Sequence, residues 1–532
     1  MKTILFRFLI SATLLISFSA CSDFLDEESK TKYTSQYIYG TEDGLSMAVT
    51  SLYALDRQYQ DQNEASVTFA LTRATDESVT NGGTGNFYGT YDPNYLKPSA
   101  AQPKDMWQGM YNIIGKCNDI IKSAEQFPES ESLTSLIGQA KAFRAQSYFL
   151  LYRTFDRIWL NTISTTPENV NDKRDYRPAT KEEVFKLLYE DMNYAIQYLE
   201  WAPKDKGRYN KAAACHLLAK IALWNEDWDT VLKQIDAIEN SGIDYQLVDV
   251  DKIFNSENLN HSEALLVQQW SRNPGGNLSQ TTPKGNLFAS FFIAPYRTVI
   301  GGNDEFACSF ENWGYTYGRC YPSPYLFSLY DQIKDKRFNT FYIHKYKNTT
   351  NKIISTGGLT VQPGEYFPLR DSKGNVNKNL YPGCVKYGDI WTRTPYEIQS
   401  YKDVIIYRLA ETYIMAAEAA LRKGDQDLAK KYYNKTWMRA GNEAFTGTLT
   451  MQNIIDEQAR ELALEGDRWY FLKRHGLLIE QVKKYAGDVR ISASIKGRTN
   501  LPNNPHFVRW PIPENEVINM GPENFPQNPG YN

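Results

Sequence analysis

The chain has 532 residues, with 59 Lys and Arg against 62 Asp and Glu, for a formal charge of −3 at pH 7. No concentrated positive face results, so the composition speaks against a nucleic-acid partner. Hydrophobic residues make up 42%, enough for a large core, and the outlier is aromatic, with 37 Tyr and 11 Trp. Tyrosine joins an apolar ring to a hydroxyl and serves both helix packing and wet binding surfaces.

Lys2 and Arg7 precede an apolar run at residues 8–18, followed by small residues and Cys21. That run falls short of the ~20 residues a bilayer span needs, so residues 1–20 read as a signal peptide. Phe18-Ser-Ala-Cys21 resembles a lipobox, which makes Cys21 the lipidation site. Asp23, Asp26, Glu27 and Glu28 follow as an acidic tether. The other cysteines (117, 215, 308, 320 and 384) are odd in number and show no C-x-x-C; the spacing leaves a Cys308–Cys320 bridge open. The five histidines are scattered, and no metal or cofactor is expected.

Residues 43–60 read as a helix on the stripe Leu45, Val49, Leu52, Leu55 and Tyr59. A long polar loop follows, with turn chemistry at 81–85, prolines at 93, 98 and 103, and Phe87, Tyr88, Tyr91 and Tyr95. Aromatics on a loop held by rigid helices mark a binding surface. Residues 106–121 and 136–155 are helical again. Thr180 and Glu183 form a capping box that opens the next helix, and 210–224 with 228–238 make a hairpin joined by Asn225-Glu226-Asp227. The N-terminal part, 21–270, thus reads as antiparallel helix pairs that bury their faces by stacking.

From Ser271 the helical period stops. An irregular, partly β insert over 271–400 is rich in Gly, Asn, Pro and Tyr, and so long an insert in a compact unit points to function. Tyr296, Trp313, Tyr315, Tyr317 and Tyr321 lie close in sequence, with Arg297, Asn303, Asp304, Asn312 and Arg319 among them. Flat aromatic faces beside amide, carboxylate and guanidinium groups suit a sugar, whose C–H faces stack and whose hydroxyls take planar hydrogen bonds. Residues 371–377 lack the ligands and spacing of a calcium loop and read as an exposed turn. The helical period returns over 404–476, with Ile406, Leu409, Ala410, Tyr413, Ala416, Ala417 and Ala420 at steps of three and four, and residues 501–531 read as an extended Pro- and Asn-rich strap. The fold class is mainly α: a tetratricopeptide-like scaffold of helical hairpins carrying the loop-rich insert, with 21–270 and 271–532 in one compact unit.

Y-R-L-A-E-T-Y-I-M-A-A-E-A (407–419), N-x-x-x-x-R-A-G (Asn434, Arg439, Ala440, Gly441) and R-E-L-A-L-E-G-D-R-W (460–469) resemble the C-terminal signature of the SusD/RagB family. The same is true of Arg144-Ala145 with Tyr148, of P-S-P-Y-L-F-S-L-Y-D-Q-I-K-D-K-R-F (322–338), and of the closing P-I-P-E-N-E-V-I-N and Q-N-P-G-Y. The chain departs from the family pattern at 156–160, after the 136–155 helix, at Gln458, where an arginine is usual, and at Phe471, where an aspartate is usual. The resemblance implies a surface-exposed lipoprotein of the Bacteroidota outer membrane. Such a protein captures a nutrient, here an oligo- or polysaccharide, and passes it to a SusC-like TonB-dependent transporter; a peptide ligand is the alternative. Carried over by segment, the ligand-contacting residues are Trp313, Tyr315 and Tyr317 from the insert and Tyr88 and Tyr91 from the early loop; Tyr296 and Arg297 in the insert and Asn81 in the early loop are further ligand-binding candidates. No catalytic motif appears. The tightest carboxylate group, Glu457, Glu461, Glu465 and Asp467, is interleaved with Arg460 and Arg468 and reads as ion-paired structure.

Overall fold

The computed structural model describes residues 34–60, 67–80, 91, 93–94, 96–273, 284–300, 307–485 and 505–531. Cys21, Asn81 and Tyr88 lie outside the described residues.

Six long helices build the first half: α1 (Glu42–Gln60), α2 (Ala101–Ala124), α3 (Glu131–Phe155), α4 (Lys181–Tyr198), α5 (Lys211–Trp224) and α6 (Trp228–Glu239). Each packs on the next. Their starts are set locally. The Thr180 hydroxyl accepts from Glu183 N at 3.2 Å while the Glu183 carboxylate accepts from Thr180 N at 2.9 Å, which completes the capping box. Asn210 and Asp227 cap α5 and α6 by accepting from Ala213 N and Thr230 N. Helix α2 begins five residues earlier than the sequence reading placed it, with Pro103 in its first turn, where the missing N–H leaves no intrahelical bond unmade. Helix α5 is buried from Ala212 to Leu223. Its small residues let neighbours approach from both sides, the pattern of a helix at the centre of an array.

The array then skips the insert. Helix α6 packs directly on α7 (Leu409–Arg422), which pairs with α8 (Gln426–Arg439) and α9 (Met451–Glu461); α10 (Arg468–Arg474) follows. Helical pairs distant in sequence therefore form one stack. Two findings differ from the periodicity of 404–476. Residues Val404–Arg408 are a strand, because the β-branched Val404-Ile405-Ile406 run pairs with another strand instead of extending α7. The helical run also breaks between Glu461 and Arg468, where Leu464 has φ 61° and Gly466 φ 102°. There Leu464 N donates to Glu77 Oε1 at 2.9 Å, and Glu465 turns to Arg408.

Four short strands fix the insert: β1 (Ser78–Thr80), β2 (Ala264–Gln268), β3 (Cys320–Pro322) and β4 (Val404–Arg408). Strands β2 and β4 pair antiparallel with an irregular register, closing the neck where the insert leaves the helices. Strands β1 and β3 pair Ser78 with Pro322 and Thr80 with Cys320, tying the early loop to the insert.

Under this neck lies a buried ionic network. Arg408 reaches Glu263 (2.9 Å), Glu461 (2.6 Å) and Glu465 (2.7 Å); Arg337 reaches Asp335 (2.7 Å), Glu457 (2.8 Å) and Glu461 (2.9 Å). Arg439 pairs with Glu263 and Glu461, and Arg460 with Glu457. The strap of residues 505–531 includes a short helix, Glu514–Met520, and ends the helical face: Asn528 Nδ2 donates to Phe155 O at 2.5 Å and Trp510 O at 2.8 Å, taking up a carbonyl at the end of α3. Asp156, which ends α3 at φ 64°, accepts from Lys473 and Arg509.

Candidate functional site

Residues 313–319 form an irregular segment without regular secondary structure, and exposure alternates along it. Trp313, Tyr315, Tyr317 and Arg319 are half-buried; Asn312, Gly314, Thr316, Gly318 and Cys320 are buried. The period of two turns one row of side chains outward. The Tyr315 and Tyr317 rings meet edge to face with centroids 5.5 Å apart. The Arg297 guanidinium sits 4.0 Å from the Tyr315 centroid and that of Arg319 5.1 Å from Tyr317. The row is thus a ladder of π-faces edged by guanidinium donors.

The ladder is held from behind. Tyr317 N donates to Ser290 O at 2.7 Å, Arg319 N to Phe291 O at 2.7 Å, and the Thr316 hydroxyl to Ala294 O at 2.6 Å. Gly318 has φ 61°, and a Cβ there would fall 2.3 Å from the Tyr321 hydroxyl, so only glycine lets the strand pass. Trp313 adopts φ 67°, ψ 23°. That left-handed conformation costs a residue with a Cβ about 1–3 kcal/mol and recurs at ligand sites. Arg393, 4% exposed, offsets it: its Nη2 donates to Trp313 O at 2.9 Å and its Nη1 to Tyr315 O at 3.3 Å and Glu397 O at 3.0 Å. Behind the indole lies Gly388, where a Cβ would fall 2.3 Å from Trp313 Cε3. Gly388 O in turn accepts from Lys402 Nζ at 2.8 Å. Burial pulls the Lys402 ammonium down to about 7, against the pull of Asp389 and Asp403. Burial pushes the Asp389 carboxyl up, but hydrogen bonds from Thr392, Trp391 and Ser400 outweigh it and hold it below the usual carboxylate range.

The structure therefore brings together Trp313, Tyr315, Tyr317 and Arg297, and adds Arg319. It separates two of the expected residues from this surface. Tyr296 is 0% exposed, stacks on Tyr346 with centroids 5.4 Å apart, and donates its hydroxyl to Gly314 O at 2.9 Å, so it supports the ladder from inside and offers no face to a ligand. Tyr91 is likewise buried at 1%, with its hydroxyl donating to Ala74 O at 2.5 Å. Asn312, read as a polar group among the aromatics, is also inside, exchanging hydrogen bonds with the Lys347 backbone. Gly388, Arg393 and Lys402 escaped the sequence reading. No local pattern marks them, because Gly388 and Arg393 take their role from Trp313, far away in the chain, and Lys402 takes its own from Gly388.

The carboxylate group is consumed in pairing. Glu457 and Glu461 are 0% exposed within the ionic network, Glu465 pairs with Arg408 and Lys386, and Asp467 pairs with Arg153 and Lys220. Gln458 Oε1 accepts a charge-assisted hydrogen bond from Arg468 Nη1 at 2.7 Å, and Phe471 lies 5.5 Å from the guanidiniums of Arg468 and Arg474. Asp76 forms a two-pronged pair with Arg468. Cys308 and Cys320 are free thiols, both buried. Asp371 Oδ1 accepts from Lys373 N and Asn375 N, which makes 371–375 a self-satisfied turn on the surface.

Fold and surface together define a helical-repeat scaffold presenting a ladder of half-buried aromatic side chains. The family model described as "SusD family" matches residues 268–531, and one described as "Starch-binding associating with outer membrane" matches residues 23–223. The chain belongs to the SusD/RagB family. It is 22% identical to SusD-like protein P25 of Formosa agariphila over 95% of both chains. Among solved structures, a SusD homolog from Bacteroides thetaiotaomicron superposes with a TM-score of 0.74 at 16% identity, covering 94% of this chain and 99% of that one. A laminarin binding SusD-like protein superposes with a TM-score of 0.67 at 21% identity, covering 92% and 99%.

Proposed function

We propose that this protein is a lipid-anchored receptor on the outer-membrane surface that captures an oligo- or polysaccharide on the 313–319 ladder and hands it to a SusC-like TonB-dependent transporter. The observation that carries the reading is the alternation along 313–319, which turns Trp313, Tyr315 and Tyr317 outward with Arg297 and Arg319 against their rings. Two similar proteins, the starch-binding protein SusD of Bacteroides thetaiotaomicron and a laminarin binding SusD-like protein, support a glycan. The lipobox at Cys21 and the outer-membrane description of the N-terminal family model support the location. Asn81 and Tyr88, outside the described residues, belong to the site in this reading through the family resemblance of their segment alone. Each sugar face covered by an aromatic contributes roughly 1–3 kcal/mol, so two or three platforms give millimolar to micromolar capture, which suits a protein that must release its cargo.

Affinity electrophoresis in gels containing laminarin, starch or a peptide pool tests the reading. Wild type is retarded by a polysaccharide, and Trp313→Ala and Tyr315→Ala each weaken retention by about tenfold or more, with unchanged circular dichroism. Retention by peptides alone, or polysaccharide retention equal in wild type and both variants, refutes it.

A further inference from the structure

A cavity of about 250 Å³ lies between α1, α3 and strand β2, walled on one side by the turn at residues 206–208. Its polar lining is unbalanced. Arg57, Lys206 and Arg208 bring three cations, whereas Asp56 is the carboxylate among the lining residues, and its Oδ1 already accepts from Gln146 Nε2 at 2.9 Å. Among the described residues neither Lys206 nor Arg208 has a carboxylate partner; Arg208 Nη2 donates to the Thr50 hydroxyl at 2.8 Å. Gln268 is 8% exposed, and its Oε1 accepts from Trp270 Nε1 at 3.0 Å while its Nε2 has no acceptor. A buried N–H without an acceptor costs about 1–3 kcal/mol and calls for an explanation. The turn itself is built to close on this side: Gly207 has φ +82°, and a Cβ there would fall 3.0 Å from the Gln269 side chain.

Two cations without a carboxylate partner, Lys206 and Arg208, and the buried Gln268 Nε2 without an acceptor are matched by an acceptor-rich anion. The volume lies just below the ~300 Å³ where drug-sized sites begin, room for about one sugar ring. We propose that this cavity binds an oxyanion-bearing sugar unit, the carboxylate of a uronate or the sulfate of a sugar ester, with Arg208 and Lys206 at the charge and Gln268 Nε2 donating to it. The cavity shares no residue with the ladder, and the site stands independently of the ladder's role.

Calorimetric titration of the mature protein with D-glucuronate, D-glucose 6-sulfate, inorganic sulfate and D-glucose tests it. The expected result is that glucuronate or glucose 6-sulfate binds at least about tenfold more tightly than glucose, and that Arg208→Gln and Lys206→Gln each weaken it, Arg208→Gln by about tenfold. Binding of glucuronate alone assigns the carboxylate, and of glucose 6-sulfate alone the sulfate. The proposal is overturned if neither binds more tightly than glucose. It is equally overturned if inorganic sulfate binds as tightly as either sugar, or if Lys206→Gln, at an exposed turn position, and a folded Arg208→Gln both bind like wild type. Retention of neutral polysaccharide by the same variants, measured in parallel, reports the ladder separately, so failure of one site is read apart from failure of the other.

Discussion

Glu461 is the position where one substitution tests the architecture most directly. Its carboxylate is fully buried at the end of α9 and is shared by Arg408 at 2.6 Å, Arg337 at 2.9 Å and Arg439. Those three guanidiniums come from β4, from the segment after β3 and from α8, so the one carboxylate joins the insert, its neck and the helical stack. In Glu461→Ala, Arg337 keeps Asp335 and Glu457, Arg408 keeps Glu263 and Glu465, and Arg439 keeps Glu263, but each of the three guanidiniums loses one buried, charge-assisted contact. Breaking a buried pair from one side costs about 3–5 kcal/mol. With an unfolding entropy of about 2.1 cal/mol/K per residue over the roughly 500 residues of the mature chain, 4 kcal/mol corresponds to a fall in Tm of about 4 °C. Differential scanning calorimetry of wild type and Glu461→Ala at pH 7 measures it, and a fall below about 1 °C refutes the reasoning. The pH dependence has a fixed sign. Burial works to raise the Glu461 carboxyl, but Arg439, Arg408 and Arg337 outweigh it and hold it well below the usual range. A depressed folded-state pKa contributes stability above the unfolded value near 4.3 that is lost as pH falls. Wild type and Glu461→Ala therefore converge in Tm as the pH drops from about 5 toward 3.

Two further outcomes are expected. Gly388→Ala places a methyl 2.3 Å from Trp313 Cε3 and 2.6 Å from Cζ3, so the indole must shift; polysaccharide retention falls about tenfold with Tm changed little, and retention like wild type shows that the indole position does not govern binding. Burial pushes the Glu77 carboxyl up to about 8, so the protonated form favours the folded state and its contribution is lost as pH rises from about 4.5 through 8. Glu77→Gln keeps an acceptor for Leu464 N and removes that loss. The Tm of wild type falls relative to Glu77→Gln across this window by at most about 1.4 kcal/mol equivalent per pH unit, and parallel Tm–pH curves would count against a buried carboxylic acid at this position.

The helical part of the molecule was legible because its signals are local. Caps at Thr180 and Asn210, the three-and-four stripe of α7 and the small residues of α5 act within one or two turns, and the arginines and glutamates of the closing motifs declare their pairing by type. The residue order of 404–408 and 462–467 already opposed a helix, through β-branching and Gly466, but which tendency won was decided by strand β2 and by Glu77, both far away in the chain. The ladder is the opposite case. Residues 296, 313, 315, 317 and 321 look alike in sequence, all aromatics in an irregular insert. Tyr296 and Tyr321 are inside and the other three half-exposed because Ser290, Phe291 and Arg393 bind backbone groups of one irregular segment and Gly388 makes room for one indole. By itself the sequence determined the family, the helix pairs and the residue types of a binding surface. Only the tertiary structure decided which of those side chains face outward, since a segment outside helix and sheet takes its orientation from whatever packs against it.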